Sequence, residues 1–184
     1  MSSRAQYTPG AARGAEVRKE EDRWTLILVR ELRHPAEDVW EALTDPEELR
    51  EWAPFDADRN LGETGPVKLT TVAAPKTIVS DSRVTRADPP RLLEYSWGEN
   101  AMRWELEPID NGTRLTLWHN IDRKFISMGA AGWHICFDVL DRFLAGDPMG
   151  RIVGGEAMKF QWQRLNTEYA KQFGIDAEKP NSTT

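Results

Sequence analysis

Cysteine is nearly absent from this chain. Cys136 stands alone among 184 residues, so no internal disulfide can form and a reducing, cytoplasmic setting is expected. No apolar run comes near the ~18 residues that a membrane-crossing helix needs. The N-terminus lacks the apolar stretch that marks a secretory leader. Positive charge is in the minority: 24 Lys and Arg against 30 Asp and Glu leave a formal charge of -6. With no basic block, a nucleic-acid surface is not expected. The three histidines fall on a loop, a strand and a helix without Cys/His spacing, so neither a metal nor a cofactor is expected.

Tryptophan, by contrast, is plentiful. Eight indoles in a chain of this size supply large amphipathic surface for a core, an interface or a pocket wall. Residues 1–22 are polar, Gly/Ala-rich and mixed in charge, which predicts a loosely attached arm, and 174–184 reads as a second tail. Between them, residues 23–173 read as one domain.

Trp24–Leu32 is rich in β-formers and predicts the first strand. Pro35 then opens a short helix with Glu37 and Asp38 near its positive end and Val39, Trp40 and Leu43 on its apolar stripe. Asp45 followed by Pro46 and Glu48 signals a second helix with its own cap, anchored by Leu49 and Trp52 and stopped by Pro54. Strands follow at about 66–73, 76–87, 91–97, 101–109 and 113–121. A two-residue turn at Asn111-Gly112 would set Leu106 opposite Leu117 and Trp104 opposite His119. A matching turn at Glu99-Asn100 would set Tyr95 opposite Trp104. One face then carries Leu93, Tyr95, Trp97, Met102, Trp104, Leu106, Leu115, Leu117 and His119; Arg103, Glu105 and Trp118 take the other. Ser127 to Ala145 reads as a helix whose stripe of Trp133, Cys136, Phe137 and Leu140 must cover that apolar face, and Ala157–Phe173 as a last helix. The order describes a curved sheet wrapped around a helix with a cavity between them.

The motif His-Pro-x-x-x-Val-Trp-x-Ala-Leu-Thr-Asp-Pro-Glu-x-Leu-x-x-Trp, from His34 to Trp52, resembles the opening of the START-like SRPBCC superfamily. So does Arg-Trp-Glu-Leu-Glu-Pro followed by Asn-Gly-Thr-Arg-Leu-Thr-Leu-Trp-His, from Arg103 to His119. Ala131–Leu140 is similar to the terminal helix of the branch named for the activator of the Hsp90 ATPase. The resemblance spans about residues 24–173. It implies an α+β, helix-grip (START/Bet v-like) fold, a curved antiparallel sheet around a long C-terminal helix. The superfamily holds binding proteins, cyclases, oxygenase partners and chaperone activators, so it does not by itself choose a function.

The expected ligand-binding set is Trp52, Phe55, Tyr95, Trp97, Trp104, Leu117, His119, Met128, Trp133 and Phe137, apolar walls with one imidazole. Each of these side chains has the competing reading of plain core packing. His119 reads either as a ligand or acid–base group or as a buried histidine satisfied by a neighbour. His134 and Asp138 are one turn apart and read as a structural pair, since no nucleophile accompanies them. His34 is expected to help cap the helix after Pro35, Cys136 to be an inert buried thiol, and Trp118 either to lie under Arg103 or to face a partner. Asp56, Asp58, Asp81 and Glu63 are scattered and read as solvated surface.

Three functions follow from these features. The first is a module that binds a small hydrophobic or amphipathic molecule, with no catalytic residue assigned. The second is a cyclase- or hydratase-type enzyme in the same pocket, with His119 moving protons and Tyr95 assisting. The third is a chaperone-ATPase co-factor, disfavoured because only a short polar stretch precedes the domain. A homodimer stays open.

Overall fold

The computed structural model describes residues 3–73 and 76–175. The elements run α1 (Ser3–Gln6), β1 (Ala15–Glu20), β2 (Arg23–Leu32), α2 (Ala36–Thr44), α3 (Pro46–Trp52), β3 (Phe55–Ala57), β4 (Gly65–Ala73), β5 (Lys76–Val84), β6 (Arg86–Asp88), β7 (Leu92–Trp97), β8 (Asn100–Ile109), β9 (Gly112–Asn120), α4 (Ile126–Leu144), a 3-10 turn (Gly154–Phe160) and α5 (Trp162–Phe173). Six strands form one antiparallel sheet in the order β1-β2-β9-β8-β7-β6, and β3-β4-β5 form a second. This is the expected α+β, helix-grip arrangement, with α4 as its long helix.

Local chemistry explains the helical opening. Asp45 accepts a hydrogen bond from the Glu47 N–H, Pro46 holds the first helical position, and the Trp52 indole donates to the Ala42 carbonyl across the two helices. The strands alternate as read: Leu93, Tyr95, Met102, Trp104, Leu106, Leu115, Leu117 and His119 are buried, while Arg103 is exposed and Glu105 half-buried.

The register differs. Leu106 faces Leu115, Trp104 faces Leu117, and Tyr95 faces Met102. Each hairpin turns one residue earlier than expected, at Asp110-Asn111 and Gly98-Glu99. The positive φ is taken by Asn111 (71°) and Gly98 (61°). Gly112 is needed for something else: a Cβ there would lie 2.0 Å from the Leu32 carbonyl oxygen. The shift moves each partner by two residues, so no side chain changes face.

The reading of residues 1–22 as a loosely attached arm is corrected for 4–20. β1 pairs with β2 along Ala15–Glu20, and the preceding stretch is strapped across α4 and α5. Arg4 donates to the carbonyls of Met149, Gly150 and Arg151, and Tyr7 donates to Asp138. Arg164 donates to the Pro9 carbonyl, while the Ala12 N–H donates to Glu168. The partners of residues 4–12 lie far along the chain, which is why a local reading missed them, whereas β1 pairs with the very next strand and was hidden by its charged composition. Most of the expected C-terminal tail, residues 176–184, lies outside the described residues.

Two further boundaries move. The expected strand 76–87 divides into β5 and β6, which lie in different sheets. The expected helix 157–173 breaks at Gln161, whose φ of 62° ends the 3-10 turn before α5 begins. Among the described residues, no helix is long and apolar enough to cross a membrane.

Candidate functional site: an apolar cavity under the first half of α4

β7, β8 and β9 bring alternate aromatic residues to one face, and α4 crosses them. Deep in this interface the rings pack against one another. Trp104 meets Trp52 and Trp133 edge-on at 6.1 and 5.5 Å, and its indole N–H donates to the Tyr95 hydroxyl. Phe55 is wedged against Tyr95 and Trp97 at 6.1 and 5.1 Å. Phe137 packs on Trp52, Trp104 and Trp133.

Toward the start of α4 the packing opens into a cavity of about 670 Å³. Thr71 and Ser80 from β4 and β5 form one wall, with Trp97, Asn100 and His119 from the sheet beside them. Met128, Gly129, Gly132, Trp133 and Cys136 of α4 form the roof. Ile152, Val153, Met158 and Trp162 close the far side. Gly132 helps make the space, since a Cβ there would meet nothing within 4 Å. Phe125 and Met158, about half exposed, stand at the rim.

Of the expected ligand-binding residues, Trp97, His119, Met128 and Trp133 line this cavity. Trp52, Phe55, Tyr95, Trp104, Leu117 and Phe137 are buried beneath it as core. The expected set placed the cavity too deep, because periodicity identifies a face and not how far along it the packing stops. Sequence reasoning missed Thr71, Gly132, Ile152 and Trp162 as wall residues. Two glycines three residues apart in an otherwise apolar helix were the available signal.

His119 is the polar centre. It faces Met102 and Leu26 on the flanking strands, stacks on Trp97 at 5.9 Å, and accepts the Trp133 indole hydrogen on Nδ1 at 3.1 Å. Its Nε2 has no partner among the described residues. Burial drives its pKa down to about 3, so the ring is neutral near pH 7. Burial also pushes the Cys136 thiol up to about 12, which leaves it protonated and unreactive.

A second buried polar group lies on the other side of α4. His134 Nδ1 is 2.6 Å from the Tyr169 hydroxyl and 3.1 Å from Arg30 Nη2, and His134 Nε2 is 3.5 Å from Asp138. The guanidinium can only donate, so Nδ1 accepts and the imidazole links Arg30 to Asp138. Burial first, and Arg30 second, lower the His134 pKa to about 3. The His134–Asp138 pair is therefore structural, tying α4 to β2, α5 and Tyr7.

The remaining expectations resolve simply. His34 does not cap a helix; its Nε2 bonds Asp141 at 2.9 Å. Trp118 lies under Arg18, at 5.1 Å, while Arg103 pairs with Glu94 and Glu105. Asp56 pairs with Arg151, and Asp58 accepts from the Lys68 N–H. Glu41, Asp45 and Glu48 bring their carboxylates within 4.8 Å of one another, and burial followed by Glu41 lifts Glu48 to about 7.

The geometry agrees with comparisons to known proteins. The chain is similar in structure to CalU16 from Micromonospora echinospora: the crystal structure aligns with a TM-score of 0.62 at 23% identity, over 86% of this chain and 95% of that one. The solution structure of CalU16 aligns at 0.64 and 21% identity, over 91% and 94%. A conserved protein of unknown function from Enterococcus faecalis, EF2215, aligns at 0.65 and 17% identity, over 86% and 89%. At such identities the likeness concerns the fold. No curated protein matches the chain. The family profile described as activator of Hsp90 ATPase homolog 1-like protein matches residues 33–145, more than half the chain, from the loop before α2 to the end of α4. The chain therefore belongs to the activator of Hsp90 ATPase homolog 1-like family.

Proposed function

We propose that this protein binds one small hydrophobic or amphipathic molecule in the cavity between the sheet and α4, and holds it without transforming it. The observation that carries this reading is the cavity itself. Its volume of about 670 Å³ lies within the range usual for small-molecule sites, and its walls are mostly apolar. A ligand that buries about 200 Å² of apolar surface there gains about 5 kcal/mol before the cost of its own ordering.

The titratable groups of the lining support binding over acid–base chemistry. A cyclase or hydratase needs a group that exchanges protons near neutrality. His119 stays neutral down to about pH 3, and Cys136 stays protonated up to about pH 12. The lone buried Cys136 also supports a cytoplasmic location.

Two measurements on the full chain test the reading. Mass spectrometry under native conditions of freshly purified protein should find a single added small mass that denaturation releases. Titration with 1-anilinonaphthalene-8-sulfonate should saturate at one site per chain. A bare protein mass together with no saturable dye uptake rejects the proposal.

A further inference from the structure

Two indoles set the polarity of the cavity. The Trp97 N–H donates to Thr71 Oγ1 at 2.8 Å, and the Trp133 N–H donates to His119 Nδ1 at 3.1 Å. An indole nitrogen can only donate, so both partners are committed as acceptors on that side. The consequence passes through each partner to its other end. Thr71 receives on its oxygen, and no described group takes its own hydrogen. His119 receives on Nδ1, so the hydrogen of the neutral ring sits on Nε2, which is covered and unpartnered. Thr71 and His119 flank Trp97, which bonds the first and stacks on the second. Both line the cavity. His119 is 3% exposed, so its spare hydrogen has no ready access to bulk water.

We infer that the cavity selects its ligand by hydrogen-bond polarity: it takes an apolar body bearing one or two acceptor oxygens, of the ketone, quinone or ester class, which receive the Thr71 hydroxyl and His119 Nε2 hydrogens. The inference rests on the binding reading above and adds the chemical class. An acceptor satisfies donors that are otherwise left unpaired. A ligand N–H placed at His119 Nε2 meets hydrogen with hydrogen, and both remain unsatisfied in an apolar surround, whereas the Thr71 oxygen keeps a second lone pair, so His119 is the group that rejects a donor. Sites built around buried donors discriminate by this means more sharply than apolar walls do.

The test uses three probes of one shape, two phenyl rings joined by a single atom: benzophenone (an acceptor), diphenylmethane (neither) and diphenylamine (a donor). Each competes with 1-anilinonaphthalene-8-sulfonate for the full chain. Benzophenone is expected to displace the dye at about tenfold lower concentration than diphenylmethane, the worth of one net hydrogen bond, with diphenylamine no better than diphenylmethane. Thr71→Val and His119→Phe keep each site's shape and keep the indole covered. Each should shrink the benzophenone advantage, read within each variant as the ratio of the benzophenone and diphenylmethane displacement concentrations. Thr71 is only half-buried, so its variant reports even if His119→Phe folds poorly. Equal displacement by all three probes overturns the polarity inference and leaves the binding reading standing. A benzophenone advantage that survives in Thr71→Val and in a folded His119→Phe also overturns the inference. Displacement by none of the three overturns both.

Discussion

Trp133 and His119 are joined by a hydrogen bond that only one state of the imidazole permits. The indole nitrogen on α4 donates across 3.1 Å to Nδ1 on β9, which requires a neutral ring with its hydrogen on Nε2.

That bond makes stability depend on pH in a definite direction. In the unfolded chain His119 titrates near its ordinary 6.5, and in the folded chain near 3. The unfolded state therefore takes up the proton first. The contribution of His119 is complete above about pH 6.5 and is lost as pH falls toward 3. From pH 8 to pH 5 it should cost about 2 kcal/mol, read by urea unfolding. His134 acts in the same direction, while the raised carboxyl of Asp138 opposes both at lower pH. Nitrogen-15 spectra should show the Nε2–H tautomer of His119 unchanged from pH 8 to pH 5. A charged His119 at pH 6 contradicts the structure.

Gly132→Leu should block dye uptake without loss of stability. The new side chain enters open space in the cavity, and replacing a mid-helix glycine contributes up to about 1 kcal/mol to the helix. The expected result is an equal or higher Tm with saturable binding abolished. Gly129 lacks such room, since a Cβ there would stand 2.6 Å from Ile121 Cδ1.

Cys136 should resist alkylation in the folded protein. Its thiol is buried and its pKa is pushed up to about 12, so iodoacetamide at pH 8 should modify it only as the chain unfolds. Rapid native modification, followed by intact mass, refutes this.

Gly112→Ala and Asn111→Gly should behave oppositely despite being neighbours. The first forces a Cβ against the Leu32 backbone and should cost about 3 kcal/mol or more, because backbone on both sides cannot yield cheaply. The second sits at a φ of 71° that glycine accepts, and should lie within about 0.5 kcal/mol of the parent. Thermal unfolding distinguishes them.

Arg30→Met should lower stability by about 2–4 kcal/mol, because it removes the buried guanidinium that donates to His134, Tyr169 and the Arg13 carbonyl and leaves the Tyr169 hydroxyl, with one hydrogen, to serve both His134 and that carbonyl. Hydrogen exchange should then quicken along residues 3–20, which this cluster helps to fasten.

Much of the sheet was legible because strand alternation has a period of two. Placing each hairpin turn one residue late changed every partner, yet left Tyr95, Trp104 and Leu117 inside and Arg103 outside. The turns themselves were harder. Gly112 looks like the residue that supplies positive φ, but its lack of a Cβ serves the close approach of Leu32, a contact about eighty residues away in sequence. Residues 4–12 read as an arm because their partners, Asp138, Glu168 and the carbonyls near Gly150, belong to the other end of the chain, and Ala15–Glu20 read so because charged residues dominate a strand whose partner is the next one. The site was legible in kind but not in depth. Trp97 and Trp133 line the space, while Trp52 and Trp104, equally aromatic and on the same face, are wholly enclosed.

The amino-acid order alone determined most of the strands and helices between Trp24 and Leu144, their apolar faces and the family to which the chain belongs. These follow from residue periodicity, cap chemistry and motif, all of which act over a few neighbours. The tertiary structure decided where the cavity lies, which indoles face it, and which nitrogen of His119 keeps a hydrogen to give. A cavity is the difference between the volume that elements enclose and the volume their side chains fill. That difference arises only when Gly132, Thr71, Ile152 and Trp162, distant along the chain, are brought to face one another.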